Sequence, residues 1–110
     1  MTFQVQTEGD VTVVAVEGQL IVGNRQELKQ TVLDALETGS RQFLIDFAGT
    51  GYIDSSGLGV LVSLSKKIRE HGGELRLANL NDDLRSLFEL TKLDTLFQIS
   101  KSREEAQASF

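Results

Sequence analysis

The sequence predicts an α/β fold, a mixed β-sheet laid down in the order ββαβαβαβα. Three observations predict it. A short alternating run and a β-branched run open the chain on either side of the turn signal Glu8-Gly9-Asp10. Further on, apolar strand-like segments take turns with stretches whose apolar residues recur at helical spacing, and no proline interrupts any of them. Strands alternating with helices pair in parallel through right-handed crossovers, so the opening hairpin makes the sheet mixed.

Each element has its own signal. Phe3-Gln4-Val5-Gln6-Thr7 alternates into the turn, and Val11-Thr12-Val13-Val14-Ala15-Val16-Glu17 returns from it as a strand ended by Gly18. Asn24 is the expected N-cap of a helix that runs to about Glu37, because Leu28, Val32 or Leu33, and Leu36 keep helical spacing and Gly39 follows as a stop. A strand is expected over residues 42–47, then a loop, Ala48-Gly49-Thr50-Gly51-Tyr52-Ile53. Asp54-Ser55 starts the next helix, along which Leu58, Leu61, Leu64 and Ile68 form a core-facing stripe until His71-Gly72-Gly73 ends it. Glu74-Leu75-Arg76-Leu77-Ala78 alternates as a strand, and Asn81 caps a helix carrying Leu84, Leu87, Phe88 and Thr91. Leu96-Phe97-Gln98-Ile99 reads as a short last strand, and Ser102-Arg103-Glu104-Glu105 has capping-box spacing for a final helix.

Composition narrows the function. A length of 110 residues suits one domain with one core, and without a cysteine there is neither a disulfide nor a thiolate metal site. The N-terminus lacks the basic and apolar regions of a signal peptide, and the longest apolar runs fall short of a membrane span, so a cytoplasmic protein is expected. The net charge is −5 with acids and bases interspersed, which disfavours nucleic acid and anionic membrane surfaces as partners.

The run Asp54-Ser55-Ser56-Gly57-Leu58-Gly59-Val60 is where function concentrates. It puts a serine hydroxyl at a helix N-terminus, where orphan amides and the macrodipole favour negative charge, whether bound or acquired by phosphorylation. An open α/β sheet also places its partner site beyond the carboxyl ends of its strands, and the loop before Asp54 lies at such an end. Capping alone is the bland reading of Asp54, Ser55 and Ser56. A serine hydrolase is excluded, since the glycine that should precede the nucleophile is missing. The sole histidine, His71, is also roughly 16 residues along the same helix, about 24 Å from Ser55, and is expected to bond the last helical carbonyls instead. Gly57 and Gly59 lack the third glycine of a dinucleotide loop, Val62 standing in its place, and are read as close packing or as room for a partner. Asp46 and Asp54 are the nearest acid pair, with no histidine beside them, so no metal site is assigned; Asp46 is expected to bond loop amides.

Ile53-Asp54-Ser55-Ser56-Gly57-Leu58-Gly59-Val60-Leu61 resembles the signature of the bacterial anti-sigma factor antagonists, the STAS domains. The resemblance extends over nearly the whole chain. Gly18-Gln19-Leu20, Leu44-Ile45-Asp46-Phe47, Gly72-Gly73-Glu74-Leu75-Arg76-Leu77 and Leu87-Phe88-Glu89-Leu90-Thr91-Lys92-Leu93-Asp94 all resemble family segments. It implies a STAS-like sheet with its helices mainly on one face, and a regulator that is not an enzyme and carries no cofactor. It also implies an ATP-dependent anti-sigma factor serine kinase as partner, phosphorylation on Ser55, and reversal by a PP2C-type phosphatase. Asp54, Ser55, Ser56, Gly57, Leu58 and Gly59 are the implied contact residues.

The chain departs from the family at Ile21, where an acid is usual, and at Gln19 in place of Glu. The apolar loop Ile21-Val22-Gly23, with Asn24, lies near the serine in the family fold, and it either contacts the partner or merely extends the strand. A free monomer is expected. Two other readings stay open: a STAS scaffold that binds without phosphorylation, and a nucleotide- or lipid-binding module using the helix N-terminus as an anion site.

Overall fold

The computed structural model describes residues 3–110. Its main sheet has the order β1-β2-β4-β6-β7, with β1 (Phe3–Glu8), β2 (Val11–Val16), β4 (Gln42–Asp46), β6 (Glu74–Ala78) and β7 (Gln98–Ser100). β1 pairs antiparallel with β2, and every other pairing in this sheet is parallel. The hairpin register sets Phe3 opposite Val16 and Glu8 opposite Val11, which leaves Gly9 and Asp10 as the turn. The expected mixed sheet and element order are therefore present.

The strand period of two sorts side chains onto two faces. Val14, Val16, Phe43, Ile45, Leu75 and Leu77 face the large core. There they meet α1 (Arg25–Glu37) through Leu28, Val32 and Leu36, and α2 (Ser55–Glu70) through Leu58, Leu61, Leu64 and Ile68. α3 (Asp82–Leu90) adds Leu84 and Phe88 to the same core, where Phe88 packs edge-on against Phe97 at 6.1 Å. Val11, Val13, Leu44 and Ala78 face the opposite way and are covered by the short α4 (Arg103–Ala108) through Ala106, with Phe110 behind it. Three of the four α-helices among the described residues thus share one face.

Four expectations are corrected. The stretch before Asp54 is not a plain loop: Thr50–Ile53 is a strand, β5, paired in parallel with β3 (Gly18–Leu20) as a separate two-stranded sheet. The second strand ends at Val16 and not at Glu17, because Gly18 turns the chain into β3. The last strand begins at Gln98, since Leu93–Thr95 form a 3₁₀ turn and the preceding Phe97 is drawn into the core. Asn24 occupies the cap position of α1, yet its side chain does not cap the helix.

Candidate functional site

The site is built where the small sheet delivers two segments to the start of α2. Asp54 follows β5 directly, in extended conformation, and its Oδ1 accepts a hydrogen bond from the Gly57 amide at 2.8 Å. That satisfies one of the orphan donors of the helix, as expected of an N-cap aspartate. The second oxygen, Oδ2, reaches out of the helix and accepts from the Val22 amide at 3.1 Å. The Asp54 amide in turn donates to the Leu20 carbonyl at 3.1 Å. One residue therefore caps α2 and ties down the loop that follows β3.

Asn24 fixes that loop from its other end. Its Oδ1 accepts from the Ile21 amide at 2.9 Å and its Nδ2 donates to the Gln19 carbonyl at 2.9 Å. The carboxamide is spent on the turn, which is why it does not cap α1. Ile21 is half-buried, whereas Val22 stands 62% exposed beside the start of α2. The loop reaches this place as a tethered turn and not as an extension of the strand.

The glycines divide the work. A Cβ on Gly57 would sit 2.4 Å from the Leu20 carbonyl oxygen and 2.8 Å from Ile53 Cγ2, so only glycine lets the first turn of α2 lie on the small sheet. A Cβ on Gly59 would meet nothing within 4 Å, and this residue is exposed. Of the two readings, close packing holds for Gly57; Gly59 is the bare position.

Ser55 is the first residue of α2 and is exposed, because the Asp54 carboxylate takes the cap and leaves the serine hydroxyl outside the capping bonds. Ser56 is half-buried and Leu58 is buried in the core. Hydrogen bonds to Asp54 from the Gly57, Val22 and Ser56 amides, with the nearby Arg25 charge, hold its carboxyl below the ordinary aspartate range. The Gly57 bond is the largest of these influences. The position next to Ser55 is thus a fixed negative charge.

Asp46, the other acid of the pair, serves the fold. Its Oδ1 accepts from the Ala48 amide and from Asn79 Nδ2, each at 2.9 Å, and Arg103 closes on Oδ2 at 2.9 Å and 3.1 Å. The bond to the loop amide was expected; the Asn79 and Arg103 contacts, 33 and 57 residues away in the chain, carry no local signal. His71 lies at the far end of α2 with Nδ1 3.0 Å from the Lys67 carbonyl oxygen, as expected. Tyr52, 58% exposed on β5, is a member of this neighbourhood that sequence reasoning passed over as loop.

Comparison with known proteins agrees with this geometry. The STAS domain family matches residues 2–106. The anti-sigma-B factor antagonist of Bacillus subtilis is 33% identical over 99 residues, spanning 90% of this chain and 89% of that protein. A crystal structure of a Thermotoga maritima protein superposes with a TM-score of 0.91 at 28% identity, over 97% of this chain and 92% of that one. The Bacillus protein SpoIIAA, solved in a phosphorylated form, superposes with a TM-score of 0.76 at 20% identity over 97% of each chain, a likeness of fold. The chain belongs to the STAS domain family, among the bacterial anti-sigma factor antagonists.

Proposed function

We propose that this protein is a phosphorylation-controlled antagonist that binds an anti-sigma factor through the start of α2 and the Ile21-Val22 turn, acting in the cytoplasm as a monomer and not as an enzyme. The partner is an ATP-dependent serine kinase that phosphorylates Ser55, and a PP2C-type phosphatase restores the free hydroxyl. The observation that carries the reading is the exposed Ser55 hydroxyl, left free of the cap by the Asp54 carboxylate at the N-terminus of a 16-residue helix.

The energetics support it. Phosphorylation adds roughly −1.5 to −2 charges at pH 7. On the free protein this charge meets water and the positive end of α2, so the fold survives it. In a docked interface it must be desolvated beside the Asp54 carboxylate, on a chain whose net charge is already −5. A penalty of about 3–4 kcal/mol weakens binding by about a few hundredfold. No large conformational change is required, since the switch is local charge and bulk. That SpoIIAA folds alike in a phosphorylated form supports the same point.

Affinity tests the reading. Calorimetric titration with the purified anti-sigma kinase should give similar constants for wild type and Ser55→Ala, and a loss of about a hundredfold or more for Ser55→Asp. Equal binding of all three would leave a scaffold that ignores this serine.

A further inference from the structure

A groove of about 480 Å³ runs from the start of α2 across to α3, with Ser55 on its wall. Its apolar lining comes from the small sheet and the facing helices, with Tyr52 exposed, Leu87 half-buried and Leu58 at its buried floor, and its two charged members, Asp54 and Asp83, are both acidic. Asp82 adds a further exposed acid in the first turn of α3. Tyr52 is 58% exposed here, a large apolar surface held open beside the modification site on an ordered strand.

We infer that this groove is the anchor site for the kinase partner, taking an apolar side chain from a partner segment flanked by Lys or Arg. The inference rests on the antagonist reading above and names the chemistry of its partner. Charge sets the occupant: a groove with an apolar floor, an acidic rim and no cation in its lining selects against acidic segments, and the net charge of −5 steers basic ones toward it. Position sets the regulation. Ser55 forms part of the wall, so a phosphate there narrows the entrance and places its charge against the anchor as it is being desolvated. The Ile21-Val22 turn is tied to Asp54, and Asp54 and Ser55 line the groove, so one phosphate on Ser55 disturbs both.

The test measures binding of the purified anti-sigma kinase to wild type, Tyr52→Ala, Asp83→Asn and Ser55→Asp, with melting curves to establish that each variant is folded. Tyr52→Ala is expected to weaken binding by about tenfold or more, as for an interface anchor. Asp83→Asn is expected to lose about threefold at low ionic strength and little at high salt, because its contribution is screened. Loss with Ser55→Asp alone, the other two binding as wild type, overturns the groove and leaves the antagonist reading standing. A kinase that binds wild type and all three variants equally overturns both. Binding of the kinase to none of the four also overturns both.

Discussion

The Asp54 carboxylate joins two parts of the chain: it caps α2 at the Gly57 amide and, with its other oxygen, holds the Val22 amide at 3.1 Å. The turn after β3 and the serine after β5 are thereby one surface, although Val22 and Asp54 lie 32 residues apart. Replacing Asp54 with Ala should release both bonds. The expected result is a lower melting temperature together with faster hydrogen exchange at Val22, while Asp54→Asn, whose carboxamide keeps one acceptor oxygen and can hold only one of the two amides, is milder. Unchanged exchange at Val22 in Asp54→Ala would mean that the turn holds itself.

Gly57 and Gly59 should separate packing from recognition. Gly57→Ala forces a methyl against the Leu20 carbonyl and Ile53, and should cost about 1–3 kcal/mol in denaturant unfolding. Gly59→Ala has open space and should stabilise by about 0.5–1 kcal/mol, since alanine loses less freedom than glycine in a helix. A bulky Gly59→Arg should leave stability near wild type and block the partner. Equal destabilisation by both alanine variants would contradict this division.

The mixed sheet and the start of α2 were legible because their signals are local. Val11 to Val16 and Phe43 to Ile45 show the apolar content of strands buried on both faces, Leu75-Arg76-Leu77 alternates, and Asp54, Asn81 and Ser102 each accept the amide expected of a cap. What was missed is non-local. Gly18-Gln19-Leu20 and Thr50-Gly51-Tyr52-Ile53 are too short and too glycine-rich to read as strands, and each exists by pairing with the other. Asn24 looked like a cap because cap and turn use the same carboxamide, and only the geometry of Ile21 and Gln19 decides between them. The Asp46–Arg103 pair has no sequence periodicity to announce it.

That pair gives a prediction in pH. Burial opposes the Asp46 charge, but hydrogen bonds from Asn79, Ala48 and Arg103, with the Arg103 charge, overcome it and hold the carboxyl below the usual range. A depressed pKa contributes stability above the unfolded value of about 3.9, and that stability is lost as pH falls through the lower folded value. Stability of the wild type should therefore drop below about pH 4, and Asp46→Asn should show a shallower drop. At neutral pH the same variant should lose about 1–3 kcal/mol, the cost of weakening bonds to a buried group. A pH profile identical to wild type would assign the acid sensitivity to other carboxylates.

The most direct measurement is intact mass after incubation with ATP and the anti-sigma serine kinase encoded nearest in the genome, for wild type and Ser55→Ala. The account predicts one added phosphate on wild type and none on the variant. A phosphate that persists in Ser55→Ala would move the switch to another residue, and no phosphate on either protein, with a stable complex still formed, would make the chain a constitutive binding partner.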